Sequence, residues 1–225
     1  MLNPYNYEQV STTGINPWEN LHHLIWNFEN FLDAEVCRFI INFAKSCKYQ
    51  DLGVFDADKT NRNQNLKTEW KTDISVRNTQ TVDLSPIGDL INAIMKDAVF
   101  GHINPKLQQF GVRILDAEGV QLLRYGPGGH YLPHIDGESI FNNHGSLEWR
   151  KSVDRDVSLV IYLSDPSEYG GGEIQFPWFN MHFKPSQGTL LVFPSTHEFV
   201  HGVIPLTQGE RFALVTWMRI TTVNS

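Results

Sequence analysis

Four residues carry the chemistry of this chain. His134 and Asp136 stand two apart in His134-Ile135-Asp136, and His201 lies 65 residues beyond Asp136. On an extended strand, residues i and i+2 point to the same side, so this imidazole and this carboxylate converge. Two His and one carboxylate form the facial set that holds non-haem Fe(II) and leaves coordination positions open. Taken alone, His-x-Asp reads equally well as a surface turn closed by a His–Asp hydrogen bond. Arg211 tips the balance. It follows His201 by ten residues, across Leu206-Thr207-Gln208-Gly209, and opens the apolar run RFALVTWM. An Arg pointing into such a sheet needs an anion, because an unpaired buried charge is costly. A carboxylate is its best bidentate partner. A co-substrate with a carboxylate at one end and a metal-chelating group at the other satisfies Arg211 and the iron together, and 2-oxoglutarate is such a molecule.

Elements must position these residues. The chain has 225 residues, 41% hydrophobic and 19% charged. That excludes a disordered, collagen-like or coiled-coil chain and suits one domain with elaborations. A net charge of −7 makes a poor general binder of phosphate backbones, so no nucleic-acid partner is expected. Phe31, Leu32, Val36, Phe39, Ile40 and Phe43 recur at helical steps, predicting a helix over 30–48 with Asp33 as N-cap. A second helix is expected over 86–99, capped by Ser85. From about residue 110 the text turns to short β-like runs separated by DAEG, GPGG, SDPSEYGGG, KPSQG and LTQGE, which is turn chemistry. The expected architecture is mainly β with flanking helices. Residues 110–221 form a double-stranded β-helix (jelly-roll) core, and a helical and loop part, 1–109, buttresses it. No run of 18 apolar residues and no basic-then-apolar leader is seen, so a soluble, cytoplasmic protein without signal peptide or membrane partner is expected. Cys37 and Cys47, about 15 Å apart on one helix, are expected to be reduced thiols.

From about Gln121 to Arg219 the chain resembles the prolyl 4-hydroxylase branch of the Fe(II)/2-oxoglutarate-dependent oxygenases. QLLRYGPGGHYLPHID resembles that branch's Tyr-x-x-Gly-Gly-x-Tyr-x-x-His-x-Asp block. VIYLSD, GGGEIQFP and GTLLVFP resemble the blocks that follow, and HGVIPLTQGERFALVTWMR the closing His…basic…Trp block. FENFLDAEVCRFIINFAKS looks like the usual opening helix. The resemblance implies that His134, Asp136 and His201 bind iron and that Arg211 binds the distal carboxylate of 2-oxoglutarate. Collagen-type members carry Lys at this last position. Tyr162 matches a tyrosine that shares that carboxylate, and Tyr125 one that hydrogen-bonds the co-substrate.

Three further positions resemble the prolyl pocket. They are Tyr131, three residues before the first metal His; Arg155, seven before Tyr162; and Trp217, six after Arg211. The resemblance then implies hydroxylation of prolyl residues in a peptide or protein with O₂, releasing succinate and CO₂, with ascorbate as reductant. The same chemistry on a free amino acid, a lysyl residue or a methylated nucleobase is the alternative, and a non-catalytic jelly-roll binding module is another. Arg155 also reads as a surface residue of WRKSVDRD. His130 and His197 fit no ligand position. Trp70, Trp149 and Trp178 are read as peptide contacts in polar loops, against loops anchored by their own aromatics. The segments 54–80 and 137–154 are expected to be loops that close as a lid over the peptide.

Overall fold

The computed structural model describes residues 19–55, 70–143 and 146–223. Chain order begins with β1 (Trp26–Phe28), α1 (Ala34–Ser46), β2 (Gln50–Asp51), β3 (Val54–Phe55), β4 (Trp70–Lys71), β5 (Arg77–Asn78) and β6 (Gln80–Thr81). A helical stretch follows: α2 (Gly88–Asp97), a π-turn at Ala98–Ile103 and α3 (Asn104–Leu107). The rest is strand: β7 (Val112–Ala117), β8 (Gln121–Tyr125), β9 (His130–His134), β10 (Glu138–Asn143), β11 (Ser146–Lys151), β12 (Val157–Tyr162), β13 (Ile174–Phe176), β14 (Met181–Phe183), β15 (Leu190–Pro194), β16 (His201–Val203) and β17 (Arg211–Thr222).

Two sheets form the body. The larger has the order β1-β15-β12-β17-β8-β6-β2, with β7 joining β17 beyond the end of β8. The smaller has the order β14-β13-β16-β9-β5. Both are antiparallel, and the alternation of side chains explains why the large sheet reads as almost unbroken apolar text. On β12, Leu159 and Ile161 point to one core while Val160 and Tyr162 point to another. On β17, Phe212 and Leu214 share the first core, and Ala213, Val215 and Trp217 the second. The first core is covered by helices. α1 presents Cys37, Ile40, Ile41 and Ala44, and α2 presents Ile91 and Ile94. Each such aliphatic side chain contributes roughly 1.5–3 kcal/mol on burial. The second core lies between the two sheets, where Ile174, Phe176 and Val203 of the small sheet meet Tyr125, Tyr162 and Phe193 of the large one. This is the expected jelly roll with helices on its outer face.

Several local expectations need correction. Asp33 occupies the N-cap of α1, but its side chain makes no capping hydrogen bond. Ser85 does not cap the second helix. Asp83 accepts from Ser85 N–H at 2.9 Å and from Ser85 Oγ at 2.7 Å, so the Asx turn forms one residue pair earlier. That helix continues through the π-turn and α3 and stops only before Gly111, whose φ of 69° suits a residue without Cβ. The first 109 residues are not only helix and loop, since β1, β2, β5 and β6 join the two sheets. The segment 137–154 is a hairpin, β10 paired with β11 from Glu138↔Lys151 to Asn143↔Ser146. Most of the other lid segment, and the side chain of Trp70, lie outside the described residues. Cys37 and Cys47 are free thiols. Among the described residues no helix is long and apolar enough to cross a membrane.

Candidate metal centre and active-site cavity

β9 ends on His134, and Asp136 follows two residues later. β16 begins on His201, whose direct antiparallel partner is His134. Gly202 permits this approach, because a Cβ there would lie 2.8 Å from the Tyr131 carbonyl oxygen and 2.9 Å from Pro133 N. His134 Nε2 lies 3.6 Å from Asp136 Oδ1, and His201 Nε2 lies 3.4 Å from Asp136 Oδ2. One donor atom from each of the three falls within 4.8 Å of the others.

The tautomers are set by the backbone. His134 Nδ1 lies 2.9 Å from the Leu132 carbonyl oxygen, and His201 Nδ1 lies 3.0 Å from that of Phe199. A carbonyl only accepts, so each Nδ1 carries the proton and each Nε2 offers a lone pair to the cluster. Burial opposes the charge on Asp136, but the imidazoles of His201 and His134 and the Ser158 hydroxyl outweigh it and hold the carboxyl well below the usual range. Ser158 Oγ donates to Asp136 Oδ2 at 2.7 Å and also meets Ser195 Oγ at 2.8 Å. Burial pushes the His201 imidazole down to about 4, against the pull of Asp136. An ionised carboxylate beside a neutral imidazole is the protonation state that a divalent cation requires, so this donor set fits Fe(II).

Arg211 opens β17, pairs in register with Tyr125, and is 2% exposed. Its guanidinium carbon stands 4.9 Å from the ring centroids of both Tyr125 and Tyr162. Tyr169, buried nearby, is a further phenol that favours its charge. No carboxylate among the described residues pairs with it. Its Nε and Nη1, the Tyr162 hydroxyl and Thr189 Oγ1 are all buried without a hydrogen-bond partner. Burial pushes the Tyr162 phenol up to about 12 despite Arg211, so it stays a donor at neutral pH. Buried polar groups are nearly always satisfied. A group of this kind around a fixed cation is a cradle for an anion, and the far carboxylate of 2-oxoglutarate fits it.

A cavity of about 260 Å³ opens onto His134 and Asp136 and is also lined by Tyr131, Arg155 and Trp217. The structure therefore brings Tyr131, Arg155 and Trp217 to the same cavity as His134 and Asp136. The Tyr131 ring stacks on the His134 imidazole at 3.5 Å and 16°. Arg155 is buried rather than on the surface. It lies 3.6 Å over the Trp217 ring, is clamped by Glu118 through Nε and Nη2, and points Nη1 at the Asp136 carbonyl. Trp217 Nε1 and Gln121 Oε1 are buried without partners.

His130 bridges the carbonyls of Gly128 and Ser75 and takes no part in the metal cluster. His197 also stands apart from it. Its ring Nδ1 meets Glu138 Oε2 at 2.7 Å, its backbone N–H donates to the same oxygen at 2.8 Å, and Trp149 stacks on it at 5.0 Å and 5°. Glu138, His197 and Glu198 are close enough for a cation, but Glu138 is already bonded to His197, and their effect is to fasten the β10–β11 hairpin. Trp149 thus anchors its own hairpin, and Trp178 sits in a 3-10 turn, Pro177–Phe179.

Glu118, Gln121, Ser158, Tyr169 and Arg77 escape a reading of the sequence. Glu118 hides in the turn text DAEG. Ser158 is the polar residue of an otherwise apolar strand, VSLVIY, and that break in pattern is the signal that could have found it; Gln121 shares its strand with Arg124 and shows no such break.

Residues 120–219 match the family model of the 2OG-Fe(II) oxygenase superfamily. A PKHD-type hydroxylase of Sphingopyxis alaskensis is 38% identical over 100 residues, covering 44% of this chain and 42% of that protein. The chain spans about two fifths to three fifths of the length of the curated relatives it matches. Among solved structures, the viral collagen prolyl hydroxylase of Paramecium bursaria Chlorella virus-1, in complex with 2-oxoglutarate, has the same fold. Its TM-score is 0.60 at 22% identity, covering 89% of this chain and 97% of that one. A Trichoplax adhaerens prolyl hydroxylase, in complex with a hypoxia inducible factor peptide fragment, aligns with a TM-score of 0.52 at 18% identity, covering 92% and 93%.

Proposed function

We infer that this chain, prolyl 4-hydroxylase-like and carrying the 2OG-Fe(II) oxygenase superfamily segment at residues 120–219, is an oxygenase that hydroxylates prolyl residues in a peptide or protein. One observation carries the reading. Two imidazoles with backbone-fixed tautomers and a carboxylate share the jelly roll with a buried arginine whose Nε and Nη1 have no hydrogen-bond partner. Iron bound with 2-oxoglutarate supplies the oxidising chemistry: O₂ is consumed, succinate and CO₂ leave, and one oxygen enters the substrate.

The chain's residues do the positioning. His134, Asp136 and His201 hold the metal. Arg211 and Tyr162 grip the distal carboxylate of 2-oxoglutarate, and Tyr125 steadies the molecule from the same wall. Tyr131 and Trp217 flank a prolyl ring, and Arg155, held by Glu118, faces a neighbouring peptide carbonyl. Trp217 N–H and the Gln121 side-chain oxygen are one donor and one acceptor, which suits the polar groups of a peptide backbone. A peptide complex of the Trichoplax neighbour agrees with that class of substrate. The active unit comprises residues 1–225 as one domain, with ascorbate keeping the metal ferrous.

The test is mass spectrometry on proline-containing peptides incubated with the protein, Fe(II), ascorbate and 2-oxoglutarate, with succinate assayed in parallel. One added oxygen on proline is expected, absent without 2-oxoglutarate and absent in His134→Ala. Succinate without any peptide change would keep the oxygenase and reject the prolyl substrate. Neither product, with no binding of Fe(II) or 2-oxoglutarate, would reject the enzyme.

A further inference from the structure

Arg77 lies on the short edge strand β5, within the 54–80 segment but outside the metal, co-substrate and prolyl-pocket motifs. Its side chain is 5% exposed and lines the same cavity as His134 and Asp136. Its contacts are all with neutral groups. Nε donates to Thr79 Oγ1 at 2.9 Å, Nη1 donates to the Gly53 carbonyl at 3.3 Å, and the guanidinium carbon stands 4.7 Å from the Tyr131 ring centroid. No carboxylate among the described residues pairs with it, and Nη2 makes no hydrogen bond there. Among the described residues Asp136 is the only acidic one lining the cavity, and its carboxylate already faces the imidazoles of His134 and His201. The cavity's other arginine, Arg155, is neutralised by Glu118. In a chain of net charge −7, Arg77 is thus a cation on the cavity wall with no counter-ion among the described residues. A buried guanidinium without an anion is costly. Thr79 and Gly53 fix its orientation but leave its charge unmatched.

We propose that the cavity takes a substrate bearing a carboxylate close to the carbon that is oxidised, and that Arg77 reads that carboxylate. The proposal rests on the cavity being the substrate site. Tyr131 explains the arrangement: its ring lies against the His134 imidazole and also carries the Arg77 guanidinium. Tyr131 thus stands between the two, and a ligand in the cavity that passes the edge of this ring meets His134 on one side and Arg77 on the other. Two sources could supply the carboxylate, an Asp or Glu side chain beside the target residue or the α-carboxylate of a chain end or free amino acid.

The experiment is calorimetric binding to the protein loaded with Fe(II) and 2-oxoglutarate under nitrogen. The probes are a peptide with internal Pro-Glu, the same peptide with Pro-Gln, a peptide ending in Pro with free and amidated terminus, free L-proline, and an Ala-Glu peptide. A charge-assisted hydrogen bond predicts about tenfold or more tighter binding of the carboxylate-bearing member of a pair. The preference should vanish in Arg77→Gln and persist in part in Arg77→Lys, with 2-oxoglutarate affinity unchanged in both. The Pro-Glu and chain-end pairs tell the two sources apart. Equal binding of charged and neutral partners, a uniform loss across all probes in Arg77→Gln, or no binding of any carboxylate probe would overturn the proposal. An Arg77-dependent preference that also appears with Ala-Glu would sink the prolyl reading and leave this one standing. Hydroxylated proline with no charge preference would do the reverse.

Discussion

At the scale of the residue, the site is governed by groups one step behind those that touch a ligand. Ser158 is the clearest case, because its hydroxyl fixes one oxygen of Asp136 and leaves the other toward His134. Ser158→Ala should weaken Fe(II) or Mn(II) binding by roughly ten- to a hundredfold, the usual effect of removing such a support. An unchanged affinity by calorimetry would show that Asp136 is oriented by burial alone. Tyr162→Phe removes one donor from the anion cradle. It should raise the Kd for 2-oxoglutarate by about tenfold while leaving metal binding intact, and fluorescence titration in the presence of Mn(II) checks both. His134, Asp136, His201 and Arg211 were legible in the sequence only in combination, because the two-residue step alone also suits a surface turn and the buried cation is what narrows it. Gln121 and Arg77 were harder to find, because strand pairing brings them to the cavity, and Glu118, in the turn text DAEG, acts only through Arg155.

At the scale of the element, the β10–β11 hairpin matters most. Its sequence, ESIFNN and SLEWRK, is polar and uneven, so it lacks the apolar alternation that marks a half-buried strand and reads as a loop. Its order comes from contacts that periodicity does not encode. Glu138 is held by His197, Trp149 is stacked on that imidazole, and Lys151 is bound to Asp154 and Asp156 at the hairpin's base. Ser139 of this hairpin lines the cavity. Loosening the clamp should therefore affect the peptide before it affects the metal. Trp149→Ala should speed hydrogen exchange of residues 138–151 and raise the KM for peptide, with 2-oxoglutarate affinity unchanged. Exchange as slow as in the parent chain would mean that the hairpin is secured elsewhere.

At the scale of the whole molecule, one sheet serves two cores, and the helices outside it are as necessary as the strands inside. Ile40 of α1 is fully buried in the outer core, well separated in composition from the cavity walls. Ile40→Ala should lower stability by about 2–5 kcal/mol, read from urea unfolding, with the affinity for 2-oxoglutarate unchanged in the folded fraction. A large loss of affinity at full folding would show that the outer layer also shapes the site. The jelly roll with N-terminal helices was legible in the order of periodic segments, since helical spacing precedes β-like runs. The small strands β1, β2, β5 and β6 were not, because two or three residues carry no period, and they are specified by the partners they find. The pairing of His201 with His134 has a kinetic side. Those histidines come from distant parts of the chain, so the donor set exists only after a long loop has closed and β16 has paired with β9 in the small sheet. A metal ion then cannot seed folding. It acts on the finished molecule, where it should slow unfolding and leave the refolding rate as it is. Metal-free copies would then open more often than metal-loaded ones, and a protease would remove them first.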